Sequence, residues 1–146
     1  DVSATFSKGT ILQRVKYLAH ALDYRDTLDT AITHTPTGNW VAIFEDDIIL
    51  TTAPSQASAR IRSALATMPA DADTLHLEYC FDACHNAMFR NDNPWTSTAN
   101  SPYCCAAILF SGQGLKKMRE LLTTIRTSVD DHIPESCERH ELNCYK

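Results

Sequence analysis

The sequence Trp40-Val-Ala-Ile-Phe-Glu-Asp-Asp-Ile-Ile-Leu50 sets the architecture of this 146-residue chain. Residues 40–44 are apolar, and the β-branched and aromatic side chains among them predict a short buried strand. An acidic triplet, residues 45–47, follows that strand directly. In open α/β sheets, ligands bind beyond the carboxyl ends of the strands, so the triplet is a candidate site. Its carboxylates repel one another unless a cation relieves them, which favours Mg²⁺ or Mn²⁺; a solvated turn is the alternative.

Helical and strand patterns alternate on both sides of this segment. Apolar residues recur at helical spacing over 10–31, and a second helix opens at Pro54 and closes at Pro69. Further patterns predict strands at 73–79 and 103–110, a helix over 115–125 and a long polar loop at 80–102. The order of these elements predicts a layered α/β fold in a single domain over 1–146.

The charge balance excludes some classes of protein. Eighteen acidic residues against thirteen Lys and Arg give a net charge of −5, so no basic excess is present to bind nucleic acid. No apolar stretch approaches the roughly 20 residues of a bilayer-spanning helix. We therefore expect no nucleic-acid partner and no transmembrane segment in this chain. It begins at Asp1 without an apolar leader, which indicates a processed form or an excised piece.

The chain has six cysteines, at positions 80, 84, 104, 105, 137 and 144. An even number favours a disulfide framework, and with it a secreted protein or one in the lumen of the secretory pathway. Pairs of Cys137 with Cys144, and of Cys80 with Cys84, would staple the tail and the loop. The alternative is that all six are reduced thiols, which would indicate a cytoplasmic protein.

A second candidate metal site lies at His76-x-Glu78, followed by Cys80. Zinc deaminases use an H-x-E motif with cysteines further downstream. Here the cysteines follow too soon, and the side chains of the adjacent pair 104–105 point to opposite faces of a strand. A zinc hydrolase or deaminase built on His76, Glu78 and the cysteines is therefore the weakest hypothesis.

A second acidic pair, Asp130-Asp131, follows the last predicted helix and precedes His132. A carboxylate base and an imidazole could both face one cleft at this point. The alternative is a polar helix terminus with a surface histidine.

Segment 40–50 resembles the strand and EDD element of glycosyltransferase family 25, the lipopolysaccharide and procollagen galactosyltransferase-like enzymes. Order and spacing extend the similarity along the chain. Further matches lie at Gly9 with the helix after it, at 73–77, at 103–115 and at Val129-Asp130. The resemblance covers 9–133 and leaves 134–146 as a cysteine-containing tail.

The resemblance implies a GT-A-like fold, a layered α/β domain with a mostly parallel sheet. Such enzymes usually begin with a βαβ half that binds the nucleotide base, and we expect that half to precede this chain. The implied activity is transfer of a hexosyl group from a nucleotide-sugar donor to a hydroxyl acceptor on a glycan, a lipid-linked sugar or a protein. A non-catalytic, disulfide-stapled binding domain of the same fold is the alternative.

The resemblance also assigns metal binding to the acidic triplet. Asp47 matches the last acid of a D-x-D-like motif and would coordinate Mn²⁺ or Mg²⁺ against the donor diphosphate. Glu45 would complete the metal shell or face the donor ribose, with Asp46 between them in the cofactor site. His132 would be a further metal ligand.

A separate carboxylate would then act as the catalytic base. Asp130 is the first candidate, because an inverting enzyme must take a proton from the acceptor hydroxyl. Asp131 and Glu78 are the reserves. Trp95, in the polar loop, would offer a flat apolar wall to the acceptor sugar; a buried structural tryptophan is the alternative.

Overall fold

A computed structural model describes residues 3–4, 10–36, 38–78 and 104–146 of the chain. Several predicted features lie outside these residues, namely Gly9, Tyr103, and the polar loop with Cys80, Cys84 and Trp95. The described part of the chain contains four helices and six strands. The predicted mixture of helices and strands in an α/β arrangement is therefore confirmed.

The four helices begin where the sequence provides caps. α1 (Ile11–His34) starts at a capping box, in which Thr10 and Gln13 bond each other's backbone N–H groups. Pro54 opens α2 (Pro54–Leu65) because its fixed φ suits the first turn. Serines 111 and 128 cap α3 (Gly112–Leu121) and α4 (Val129–Glu138). Within the described ranges, no helix is long and apolar enough to cross a membrane.

The strands form two sheets. The main sheet has the order β2-β4-β3-β6, with β2 (Trp40–Phe44), β3 (Thr74–His76), β4 (Ala107–Ser111) and β6 (Cys144–Tyr145). In the second sheet, β1 (Ser3–Ala4) pairs in parallel with β5 (Thr124–Ile125). The helix predicted over 115–125 therefore ends early, because the β-branched run 123–125 favours a strand.

The main sheet is mixed, so the expectation of a mostly parallel sheet is wrong. β4 runs antiparallel to both β2 and β3, and β6 pairs in parallel with β3. β2 and β3 point the same way, as a helical crossover through α2 allows. β4 lies between them and runs in the opposite direction, so both of its pairings are antiparallel.

Helices cover both faces of the main sheet. Side chains alternate along each strand, so Ile108 and Phe110 enter the larger core while Leu109 faces the other way. That larger core includes Leu28 of α1, Leu115 and Met118 of α3, and Ile133 of α4. On the opposite face, Ala64 of α2 packs with Leu75 and Leu109.

The C-terminal residues pack into the larger core. Leu142 and Cys144 are buried, and β6 extends the main sheet. A disulfide joins Cys137, near the end of α4, to Cys144, which confirms this predicted pair. His140 turns the chain between the two cysteines with a left-handed φ of 57°.

Candidate active site

The carboxyl ends of β2 and β3 lie on either side of the start of β4. The Glu45 N–H donates to the Ala106 carbonyl, and the Leu77 N–H donates to the Ala107 carbonyl, each at 2.9 Å. Neighbouring strands are about 4.8 Å apart, so the backbones of the two strand ends are separated by about 10 Å. This edge of the sheet is therefore where the acids that follow the two strands lie.

Five side chains from four parts of the chain interact at this edge. We call them the Glu45 cluster: His20 and Tyr24 of α1, Glu45 after β2, Cys105 before β4, and Asp130 in the first turn of α4. Burial raises the pKa of Glu45, the Asp130 carboxylate raises it further, and His20 lowers it. Asp130 therefore acts on Glu45, although the sequence places the two carboxylates in separate motifs.

Cys105 connects the two acids. It is a free thiol with 1% of its surface exposed. Burial raises the pKa of Cys105, and the charge and hydrogen bond of Asp130 raise it further. The thiol therefore keeps its proton at neutral pH, and its S–H donates a hydrogen bond to the Asp130 carboxylate. Cys104, the preceding residue, is disulfide-bonded and has a φ of 84°, a conformation that is uncommon for a residue with a Cβ.

Tyr24 and His20 form the helical wall of the cluster. Their rings meet edge to face, with centroids 6.3 Å apart. The Tyr24 hydroxyl is buried and has no hydrogen-bond partner among the described residues. Burial raises the pKa of Tyr24, and the negative charges of Glu45 and Asp130 raise it further. Tyr24 thus remains a neutral hydroxyl.

The rest of the acidic triplet faces solvent. Asp46 and Asp47 are exposed in the turn after β2, and both carboxylates raise the pKa of Glu45 beyond the effects of burial and Asp130. The carboxylates of Asp46, Asp47 and Asp130 therefore all raise the pKa of Glu45, and His20 opposes their effect. A hard divalent cation would relieve this repulsion, and oxygen ligands are the ones that Mg²⁺ and Mn²⁺ prefer.

Asp131 has a structural role at the start of α4. Its carboxylate accepts hydrogen bonds from the Thr127 hydroxyl at 3.0 Å and the Ser128 hydroxyl at 2.8 Å. The Ser128 hydroxyl in turn accepts from the Asp131 N–H. This is the reciprocal bonding of a helix N-cap, so the carboxylate is already engaged. Asp130, not Asp131, is the member of the pair that interacts with Glu45.

The structure places the other predicted residues apart from Glu45. His132 is buried, and its pKa is lowered mainly by burial; the charges that act on it are those of Arg126, Glu135, Arg139 and Glu141. None of these four belongs to the acidic triplet. Glu78 is exposed just beyond β3, on the far side of β4 from Glu45.

An open groove of about 680 Å³ runs between α1 and β2 towards Glu45. Its walls carry the carboxylates of Asp23 and Asp26, the hydroxyls of Thr27 and Thr30, and Phe44, which is 49% exposed. A second cavity of about 670 Å³, lined by Trp40, Gly112 and Lys116 among others, lies at the opposite edge of the main sheet.

Three members of the Glu45 cluster were missed at the sequence level. His20 and Tyr24 sit on one side of α1 at i and i+4, but this spacing resembles an ordinary core stripe. Cys105 was considered as a zinc ligand, a disulfide partner or a reduced thiol, but not as a neighbour of the acids. The capping role of Asp131 had a visible signal, since Ser128-x-x-Asp131 matches the capping-box pattern.

Comparison with known proteins finds no matching family model, no matching curated protein and no matching solved structure. Function is therefore inferred from the chemistry of the cluster. A pair of interacting carboxylates beside a neutral thiol and a neutral phenol can hold a cation and can move a proton.

Proposed function

We propose that this chain is a divalent-cation-dependent glycosyltransferase domain that moves a hexosyl group from a nucleotide sugar to a hydroxyl acceptor. The observation that carries the proposal is the interaction between Glu45 and Asp130, because it joins an acid at a strand end to an acid from a different element. Glycosyl transfer by inversion needs both a place for a diphosphate-bound cation and a carboxylate base.

The acidic triplet would supply the oxygen ligands of the donor-site cation. Glu45 and Asp47 would hold Mn²⁺ or Mg²⁺, with Asp46 beside them, since these carboxylates repel one another and offer oxygen ligands. When bound, the cation neutralises the departing diphosphate. His132 stays a weaker candidate ligand, because the charges that act on it come from other residues.

Asp130 would act as the base that accepts the proton of the acceptor hydroxyl. Its carboxylate is half-buried, accepts a hydrogen bond from the Cys105 thiol and keeps further lone pairs for an acceptor hydroxyl. Cys105 would position Asp130, and the proton of the attacking hydroxyl would pass to the carboxylate as the glycosidic bond forms. Asp131 is a poorer base because it caps α4, and Glu78 remains the reserve.

The groove beside Glu45 is suited to an acceptor sugar. Carboxylates and threonine hydroxyls bond sugar hydroxyls, and the exposed ring of Phe44 gives a flat face for a sugar ring. We therefore propose a glycan or another hydroxyl-bearing acceptor in this groove. The Cys137–Cys144 disulfide favours an oxidising compartment, namely the secretory lumen or the outside of the cell.

The test is calorimetric titration of the chain with UDP and with GDP, each in Mn²⁺ and in chelator. We expect one nucleotide to bind only with Mn²⁺, and Asp47→Asn to abolish that binding. At saturating Mn²⁺, Asp130→Asn should keep nucleotide binding and lose sugar transfer. The matched control is Asp71→Asn, since Asp71 is exposed before β3, at the opposite edge of the sheet.

Two outcomes would contradict the proposal. If neither nucleotide binds to this chain or to a longer one that includes the preceding half, or if binding does not depend on Mn²⁺ and Asp47, the acids are not a donor site. A binding domain of the same fold would then be favoured, and its partner should still bind when Asp47 is neutralised.

A further inference from the structure

His76 is a buried imidazole without a partner. It lies at the end of β3 with 3% of its surface exposed, and neither ring nitrogen has a hydrogen-bond partner among the described residues. Burial lowers the pKa of His76 to about 3, so the ring is neutral at physiological pH. A neutral imidazole with an unused lone pair is the form that binds metals. Native structures rarely leave such a group unsatisfied.

Two sulfur atoms lie close to the His76 ring. The ligand atoms of His76, Cys137 and Cys144 all lie within 4.8 Å of one another. Cys144 is on β6, which pairs with β3, and Cys137 is in the last turn of α4. The three side chains are thus held by three packed elements rather than by a loose loop. Both cysteines are buried, with 2% and 3% of their surfaces exposed.

These three side chains form a zinc ligand set once the sulfurs are thiolates. Two Cys and one His leave one of four tetrahedral positions for water or another ligand. In a tetrahedral zinc site, two thiolate sulfurs are about 3.8 Å apart, given Zn–S bonds of about 2.3 Å. The Cα atoms of Cys137 and Cys144 are 5.7 Å apart, so rotation about the side-chain bonds can provide this separation.

We propose that reduction of the Cys137–Cys144 disulfide converts this corner of the core into a zinc site, with His76, Cys137 and Cys144 as its ligands. A dithiol reductant supplies two electrons and two protons, breaks the S–S bond and becomes a disulfide itself. Zn²⁺ then binds the two sulfurs as thiolates and the imidazole as a neutral ligand, and two protons are released to solvent. The disulfide and the zinc ion therefore exclude each other, because both require the sulfur atoms of Cys137 and Cys144.

This site is separate from the Glu45 cluster. Burial is the cause of the pKa shift of His76, and no carboxylate of the cluster contributes to it. The site also differs from the zinc hydrolase predicted from His76 and Glu78, because Glu78 is exposed while His76 is buried. The zinc form would stabilise the β3, β6 and α4 corner under reducing conditions, where the disulfide no longer can.

The test starts from the full chain reduced with a phosphine under nitrogen. Zinc content is measured after equilibration with buffered Zn²⁺, and Co²⁺ is used as a spectroscopic probe for thiolate ligands. We expect about one zinc per chain that is present after reduction and absent in the oxidised protein. We also expect bound zinc to slow re-formation of the Cys137–Cys144 disulfide. Peptide mapping at a series of times measures this rate.

Matched variants separate this site from the other cysteines. Cys137→Ser with Cys144→Ser should abolish the cobalt–thiolate band of the site, while Cys105→Ser should leave it unchanged. His76→Leu keeps both thiols and the apolar packing, and should weaken zinc binding by roughly tenfold or more. If the reduced protein loses its fold, added Zn²⁺ should restore it.

The proposal is wrong if the reduced protein binds no zinc, or if the Cys137 and Cys144 substitutions leave the amount of bound zinc unchanged. It is equally wrong if His76→Leu binds zinc as tightly as the parent. Failure to recover the fold with Zn²⁺ after reduction would also overturn it.

Discussion

Lys117 Nζ lies 2.6 Å from Oδ2 of Asp73, whose side chain is fully buried. The same oxygen accepts the Asn143 N–H at 2.8 Å. The Asp73 backbone carbonyl accepts from Ser111 N–H, and its N–H donates to the Asn143 carbonyl. Asp73 therefore joins the start of β3 to α3, to the end of β4 and to the segment before β6, which fixes the order of the strands.

Removing the Lys117 charge should destabilise the fold. Lys117→Met leaves the buried Asp73 carboxylate with its backbone donor but without its cation, so we expect a loss of about 2–3 kcal/mol in the free energy of unfolding. Chemical denaturation measures this loss. Lys116→Met is the control, since Lys116 is the exposed neighbour on the same helix. Equal effects of the two substitutions would mean that the buried ion pair contributes nothing specific.

Gly114 should not tolerate a side chain. A Cβ on Gly114 would overlap the carbonyl oxygen of Asp73, so α3 would have to move away from β3. We expect Gly114→Ala to cost about 2 kcal/mol, although alanine favours helices over glycine. Gly112→Ala is the matched control, because nothing lies within 4 Å of a Cβ there. Thermal melting should show a clear decrease in the melting temperature of Gly114→Ala, whereas that of Gly112→Ala should stay the same or increase.

The oxidised, metal-free protein should lose stability in acid through His76. Its pKa is about 3 in the folded protein, against 6.5 for the free side chain. The unfolded chain therefore takes up a proton that the folded protein does not. The contribution to stability is complete above pH 6.5 and is lost as the pH falls from 6.5 towards 3, by up to about 1.4 kcal/mol per pH unit.

Denaturation curves at a series of pH values test this effect. His76→Leu should show a shallower fall in stability between pH 6.5 and pH 4 than the parent does. A remaining slope is expected from His132, whose pKa burial also lowers. His140→Asn should follow the parent, because His140 is exposed and Asn accepts its left-handed backbone. Identical slopes for the parent and His76→Leu would contradict the assignment.

Local signals predicted only part of the elements, since α4 and the short strands β1, β5 and β6 were not predicted, and they did not predict how the elements meet. The strand over 40–44 and the helix that opens at Pro54 were both predicted from residues close in sequence, and the structure has both, although only Ile43 of the strand is buried. The direction of β4 is not readable in this way, because it depends on the path from β3 to β4, which local patterns do not give. The mixed sheet was missed for that reason.

In the candidate site, too, the sequence indicated single residues but not which of them lie together. Glu45 and Asp130 were both identified from acidic motifs, but no pattern in the chain indicated that they interact. His20 and Tyr24 join them only because α1 crosses the carboxyl end of β2, and tertiary packing decides such a contact. His76 and Cys137–Cys144 were likewise visible as residue types, whereas their proximity required the parallel pairing of β3 with β6.

Neutralising Asp130 should affect stability and metal binding in opposite directions. Asp130→Asn removes a charge that raises the pKa of Glu45 and still offers an oxygen to the Cys105 thiol. We expect the metal-free protein to gain stability, by less than about 1 kcal/mol because Glu45 is largely solvated. Mn²⁺ affinity should fall by about tenfold or more, since the cation loses a nearby negative charge.

A double-mutant cycle with Glu45→Gln measures the interaction itself. Once one carboxylate is neutral, neutralising the other can no longer relieve the repulsion between these two, so the two gains in stability should be less than additive. Denaturation without metal gives the stabilities, and calorimetry gives the Mn²⁺ affinities. Fully additive gains, together with unchanged Mn²⁺ binding in Asp130→Asn, would show that the two acids act independently. In that case the interaction on which the donor-site proposal rests would not exist in solution.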